Sequence, residues 1–298
     1  MNISIQNLTK IYGNGHKALK SINLEIENGM FGLLGANGAG KSTLMRILVS
    51  LMQPTSGLIL INGLPLNKNR KEIRSMTGYL PQDFSSFPKL KTWEFLDYSA
   101  RLSGLKDKRK RRDNIDEMLE EVGLYEVRER YADKLSGGMK RRLGIAQALI
   151  GEPRLIIVDE PTTGLDPDER IRFRNLLTKI SSRDVIIILS THIVGDISST
   201  CHHMALLRNG NMVYNGSPEA LMEEARGKVW RIHATHEQFD EINVNFNVIS
   251  TIPSVGGWDL EVVADTPNGY SHEAIDPNLE HAYVYYMEKK AESILTTL

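Results

Sequence analysis

Gly35-Ala36-Asn37-Gly38-Ala39-Gly40-Lys41-Ser42-Thr43 follows an apolar run, Met30-Phe31-Gly32-Leu33-Leu34, and opens onto Leu44-Met45-Arg46-Ile47-Leu48. That order is strand, glycine-rich turn and helix, and the turn fits the phosphate-binding pattern GxxxxGK[ST]. The spacing has a chemical reason. Glycines let backbone N–H groups curl round a polyphosphate, and the helix start adds free donors and partial positive charge. Lys41 is placed to reach the β- and γ-phosphates, and the Ser42 hydroxyl to ligate Mg²⁺. Four fixed positions arise by chance in roughly one chain in a hundred of this length, and the strand-to-helix context lowers that further. A bound nucleotide is the expectation.

Working outward, Ser21–Glu27 alternates polar and apolar residues as a half-buried strand does. Tyr12-Gly13-Asn14-Gly15 reads as a turn with one exposed aromatic. Pro54–Gly57 breaks the chain before a strand, Leu58–Ile61, which ends at the turn pair Asn62-Gly63. Met76–Gln82 is expected to be a short strand running into a loop. From about Trp93 to Leu149 the pattern is helical, with Ile115, Met118, Leu119 and Val122 on one stripe. The basic run Lys106–Arg112 is either a nucleic-acid patch or, as its acidic neighbours favour, a solvated helix start.

Leu155–Val158 and Val185–Leu189 are continuous apolar runs, as suits parallel strands buried on both faces. A helical stretch, 168–183, lies between them, so strand and helix alternate. In such folds ligands sit at the carboxyl ends of the strands. Asp159 stands at such an end, able to meet a metal held by Ser42, and Glu160 follows it, able to polarise an attacking water. Leu135-Ser136-Gly137-Gly138-Met139 supplies a second glycine-rich helix start.

Beyond Leu206–Tyr214, read as a hairpin, and a helix near 217–225, the character shifts, and a domain boundary is expected at about 225. Residues 229–264 read as short strands with Gly256-Gly257 as a turn, and 265–275 as a polar loop. Asp276 is then the expected N-cap, with Pro277 in the first helical position. Leu279, Ala282, Tyr283, Tyr286 and Met287 mark an amphipathic helix.

Composition sets bounds. The chain has 298 residues, 41% hydrophobic and 24% charged, with a formal net charge of −1. No overall basic field favours bulk nucleic-acid binding. Cys201 is the single cysteine, so no intrachain disulfide is possible. Cys201-His202-His203 could suggest a metal site, but neighbouring residues do not easily close a tetrahedron, and a strand start is the better reading. The N-terminus lacks a signal-peptide pattern and no apolar run is long enough to span a membrane. A cytoplasmic, soluble chain is expected.

The succession GANGAGKST, Gln82, LSGGM, LIIVDEP, Thr163-Gly164-Leu165-Asp166 and His192 resembles the ATP-binding cassette ATPases over about residues 2–225. The resemblance implies an α/β phosphate-loop NTPase with a mainly parallel core sheet, an antiparallel β subdomain and a helical subdomain at about 90–150. A small C-terminal α+β domain, 226–298, follows. It implies ATP and Mg²⁺ as ligands, the nucleotide held by Gly35, Asn37, Gly38, Ala39, Gly40, Lys41, Ser42 and Thr43, and the metal by Ser42, Gln82 and Asp159. Glu160, His192, Lys41 and Gln82 would be catalytic. Tyr12 occupies the place of an adenine-stacking aromatic, the alternative being a surface tyrosine. Two cassettes would join head to tail, each presenting Ser136, Gly137, Gly138 and Asp166 to the partner's ATP. Met139 stands where many members have Gln, and Lys140-Arg141-Arg142 is read as a family-typical helix face.

After residue 225 the chain resembles the accessory segment of bacterial drug- and antibiotic-export ATPases, with Pro277–Tyr283 as its closing motif. The implied function is an ATPase subunit that powers a separate transmembrane permease, an exporter, from the inner face of the membrane. No nucleic acid is expected. Two alternatives are a soluble cassette ATPase acting on nucleic acid or ribosomes, and a nucleotide-binding regulator without turnover.

Overall fold

A computed structural model describes residues 1–267 and 269–295. The chain divides into two compact units, Met1–Asn215 and Gly216–Leu298. The helix assigned by sequence to the first domain therefore goes with the second.

The first unit runs β1 (Asn2–Ile11), β2 (Lys17–Glu27), β3 (Gly29–Leu34), α1 (Lys41–Leu48), β4 (Ser56–Ile61), β5 (Leu64–Pro65), α2 (Arg70–Ser75) and β6 (Thr77–Leu80). Next come α3 (Thr92–Leu102), α4 (Lys108–Glu121), α5 (Gly137–Leu149), β7 (Leu155–Asp159) and α6 (Pro167–Ser181). The unit closes with β8 (Ile186–Thr191), α7 (Val194–Ser198), β9 (His203–Arg208) and β10 (Asn211–Gly216).

Its core sheet has the order β10-β9-β3-β8-β7-β6. β3 pairs in parallel with β8 and β9, and β7 with β8 and β6. Every residue of β7 and β8 is buried, as continuous apolar strands require when both faces are covered. A second sheet, β2-β1-β4-β5, is antiparallel, and the alternation in β2 buries Ile22, Leu24 and Ile26. The two sheets share one core with α1, which contributes Leu44, Met45, Ile47 and Leu48.

α4 begins as expected near the basic run, with the Asp107 carboxylate accepting from Arg109 N and Lys110 N. Arg111 departs from the solvated reading. It is 5% exposed and its Nε donates to Asp97 Oδ1 at 2.6 Å.

The second unit holds α8 (Pro218–Glu224), β11 (Val229–Thr235), α9 (Phe239–Asn245), β12 (Asn247–Ser254), β13 (Gly257–Val263), β14 (His272–Ala274) and α10 (Leu279–Leu295). Its sheet, β12-β13-β11-β14, is antiparallel. Three expectations need correction here. Residues 239–245 form a helix, because Phe239, Ile242 and Phe246 all pack on Ile232, Leu260 and Val262. The loop 265–275 contains β14. Asp276 does not cap α10. Asn278 does, its Oδ1 accepting from His281 N at 2.9 Å, while Asp276 is 95% exposed and faces Arg226.

Candidate functional site

The phosphate loop leaves the end of β3 and its glycines are required by contacts. A Cβ at Gly35 would lie 2.4 Å from Leu207 O, and one at Gly40 2.6 Å from Ala18 O. Gly40 also has φ 112°, a conformation side chains rarely adopt. Gly40 is the N-cap of α1, with no side-chain cap, so the first-turn amides have no partner within the helix. Those amides and the helix dipole suit an anion.

Lys41 is 5% exposed. Its Nζ donates to Gly35 O at 2.7 Å and Ala36 O at 3.3 Å, and pairs with Glu160 Oε1 at 3.0 Å.

The sheet order brings the carboxylates to the loop. β8 lies between β3 and β7, so Ser190 of β8 sits beside both. Its hydroxyl donates to Asp159 Oδ1 and accepts from Glu160 N at 3.2 Å. Ser42 Oγ donates to the same Asp159 oxygen at 3.4 Å. Asp159 and Glu160 are 2% and 3% exposed. Glu160 Oε2 lies 2.5 Å from His192 Nδ1 and accepts from Thr163 Oγ1 at 3.1 Å. Lys41, Ser42, Asp159, Glu160 and His192 thus form one connected group. Within it the Ser42 hydroxyl and the Asp159 carboxylate are neighbouring oxygen donors, the kind that suits Mg²⁺ held by one or two protein groups plus phosphates.

Gln82 is exposed and lines a groove of about 880 Å³ that reaches Asp159. Arg46, Leu51, Tyr79 and Leu102 also line it. Burial, and then the Asp159 carboxylate, raise the Tyr79 phenol above its ordinary value.

Tyr12 is half-buried, not the exposed turn residue expected. Its hydroxyl lies 3.1 Å from Thr43 Oγ1, and its ring is stacked with His16 at 6.2 Å between centroids.

Ser136, Gly137, Gly138 and Asp166 form a second group. The Ser136 hydroxyl caps α5 by accepting from Met139 N at 3.2 Å, and Asp166 caps α6 by accepting from Glu169 N at 2.9 Å. Glu169 joins them, since a Cβ on Gly138 would lie 2.9 Å from its carboxyl and Arg142 pairs with it at 3.1 Å. Ser136, Gly137 and Asp166 are exposed. Among the described residues, no hydrogen bond or ion pair ties these four to Lys41 or Ser42.

Sequence reasoning passed over three residues behind the site. Ser190 bridges Asp159 and Glu160, as above. Asp196 is fully buried and accepts from Thr162 Oγ1 at 2.5 Å and Thr191 Oγ1 at 3.3 Å, so it holds the flanks of Glu160 and His192 together. Arg141, taken for a helix face, is 9% exposed and donates to four backbone carbonyls. Burial lowers its guanidinium from the ordinary value, against the pull of Asp159, Asp83 and Glu160. The hydroxyls of Ser190 and Thr191, polar in an otherwise apolar strand, were a readable signal. Arg141 had none.

A strand, a glycine turn and a helix that cradle phosphate, with buried carboxylates on a nearby strand, define a P-loop nucleotide-binding protein. A family model described as ABC transporter matches residues 19–163. The bacitracin transport ATP-binding protein BcrA of Bacillus licheniformis is 38% identical over 213 residues, covering 71% of this chain and 68% of that one. The methionine import ATP-binding protein MetN of Vibrio vulnificus is 37% identical over 224 residues, covering 72% and 65%. Among solved structures, the dimeric ATP-binding cassette MJ0796 bound to ADP and Pi has a TM-score of 0.67 at 27% identity, covering 72% of this chain and 98% of that one. The chain belongs to the ABC transporter family and is one of its ATP-hydrolysing cassettes.

Proposed function

We propose that this cassette drives a separate transmembrane permease, that two cassettes close head to tail on two ATP molecules, and that transport is export. One observation carries the pairing. A single chain holds two anion-ready helix starts, and the second, at Ser136 and Gly137, is exposed and, among the described residues, has no hydrogen bond or ion pair to Lys41. Supplied by a partner, it completes the grip on phosphate.

In this reading Lys41 and the amides of α1 bind the β- and γ-phosphates. Ser42, Asp159 and Gln82 are the residues that would hold Mg²⁺, which when bound neutralises phosphate charge. Glu160 takes the proton of the attacking water. His192 orients the Glu160 carboxylate through Nδ1 and contacts the γ-phosphate. Asp166 lines the joint between cassettes.

Complementation tests the pairing. Lys41→Ala and Ser136→Ala chains should each be nearly inactive. Mixed, they form one composite site with an intact phosphate loop and an intact Ser136, and turnover should return. No recovery on mixing would sink the arrangement.

The groove beside Gln82 supports a permease contact. Leu51 and Leu102, 65% and 73% exposed, lie on its wall, and exposed apolar surface around a groove marks partner sites. No helix among the described residues is long and apolar enough to cross a membrane. The chain then sits on the cytoplasmic face through that partner. Purification from membranes should bring down a protein with several apolar helices, and recovery of the cassette alone would count against it. Export rests on the resemblance of Pro277–Tyr283 to the closing motif of the drug- and antibiotic-export ATPases. Substrate accumulation by inverted vesicles would support it, and efflux from them would reverse it.

Tyr12 is proposed as the adenine platform. Tyr12→Ala should weaken ATP and GTP alike by about 1–3 kcal/mol, since stacking tolerates any base. Unaltered affinity in a nucleotide titration would leave Tyr12 as a strut for Thr43.

A further inference from the structure

We infer that Arg141 is a positioning residue: its guanidinium fixes the backbone of Glu160 to that of Gln82, and so aims the Glu160 carboxylate. The inference rests on the reading of Glu160 as the base that activates water.

β6 and β7 are parallel neighbours whose last paired residues are Leu80 and Val158. Beyond them, among the described residues, no further ladder pair joins the two strands. Arg141 takes over at that point. Its Nη1 donates to Gln82 O at 2.7 Å and Pro81 O at 3.2 Å, Nη2 to Glu160 O at 2.6 Å, and Nε to Pro161 O at 2.7 Å. One planar fork therefore spans the exits of both strands.

Glu160 needs such support. Its φ is +49°, in the left-handed region that non-glycine residues rarely occupy, and such backbone persists only where neighbours over-determine it. The N–H on one side of Glu160 donates to Ser190 O at 3.1 Å. The carbonyl on the other side accepts from Arg141. With both flanking peptides held, the direction of the Cα–Cβ bond is fixed, and from it the carboxylate reaches Lys41 and His192.

The helix that carries Arg141 is itself seated firmly. A Cβ on Gly78 of β6 would lie 2.1 Å from Ala148 O of α5, and one on Gly144 would lie 2.6 Å from Leu80 Cδ1. Backbone meets backbone at Gly78 and the Leu80 side chain fills the space over Gly144, so α5 cannot slide along β6 without breaking the fit. Arg141 extends that rigid contact to the two loops. Lysine cannot replace it, because an ammonium is a point donor and does not present two edges of a plane.

The test is steady-state hydrolysis by the full chain carrying Arg141→Lys. A small misplacement of a catalytic group costs up to about 100-fold, so kcat should fall roughly 10- to 100-fold while KM for ATP stays within about twofold. A structural defect would move both. In a Glu160→Gln background, Arg141→Lys should change the residual rate little, because the carboxylate through which it acts is gone. Amide exchange gives a readout without turnover: peptides over 81–84 and 160–163 should lose protection together. If Arg141→Lys does not fold, Arg141→Gln keeps two N–H donors and should show the same split. Wild-type kcat, a KM that rises as kcat falls, an equal loss in the Glu160→Gln background, or unchanged exchange would each overturn the inference. Normal turnover by Glu160→Gln alone overturns instead the reading beneath it.

Discussion

Glu160→Gln is expected to keep Mg-ATP bound and to slow hydrolysis by roughly 10²- to 10⁴-fold, the usual worth of a positioned base. The amide has nearly the shape of the carboxylate, so the buried pocket between Lys41, His192 and Thr163 stays filled. What it cannot do is accept a proton. Binding and catalysis should separate as a result, since in the proposed site the grip on phosphate falls to α1 and Lys41 and not to Glu160. If cleavage is what opens the pair of cassettes, this variant should also accumulate as an ATP-bound dimer on size exclusion. Wild type under the same conditions should return to the monomer as nucleotide is consumed. Near-normal turnover by Glu160→Gln would remove the residue from its role, and a slow variant that stays monomeric would separate hydrolysis from pairing.

The phosphate loop was legible because its chemistry is local. Nine consecutive residues supply the turn, the amides and the lysine. β7 and β8 were legible for a similar reason: an unbroken apolar run has few places to go except a sheet covered on both faces. α9 was missed because seven residues make barely two turns. Phe239, Ile242 and Phe246 fit both a helix and an irregular strand until the sheet beneath them is known. The cap of α10 was misplaced by two residues, since Asp276 and Asn278 are equally good caps and Pro277 lies between them. Only the reciprocal fit of Asn278 with His281 decides it.

Arg111 and Arg141 show the harder limit. Both look like members of solvated basic runs. Arg141 finds its partners about twenty and sixty residues away along the chain, on two loops that only the parallel pairing of β6 and β7 brings together. Nothing in Lys140-Arg141-Arg142 distinguishes the residue that is buried. Arg142, its neighbour, turns the other way to Val122 O, Gly123 O and Glu169. Local pattern therefore marks the residues proposed to meet the nucleotide, and only long-range pairing shows which residues hold their backbone in place.

Lys41→Ala should remove most of the ATP affinity. In the structure the ammonium spans the loop and the carboxylate, bonded to Gly35 O and Ala36 O and paired with Glu160. A charge-assisted hydrogen bond to phosphate is worth about 1.5–3 kcal/mol, and two such bonds lost together weaken binding by roughly 100-fold or more at 1.4 kcal/mol per decade. The chain without nucleotide should lose stability as well. Taking one partner from a buried ion pair typically costs about 3–5 kcal/mol, and the low end applies here because His192 and Thr163 still hold the Glu160 carboxylate. The two effects are separable by thermal melting. The melting temperature of the variant should drop, and the rise that Mg-ATP gives the wild type should vanish, because stabilisation by a ligand scales with its concentration over Kd. Lys41→Met keeps more of the apolar stem and should recover part of the stability but none of the ATP-induced rise. An ATP-dependent rise that survives in both variants would mean that the polyphosphate is held somewhere other than at the start of α1.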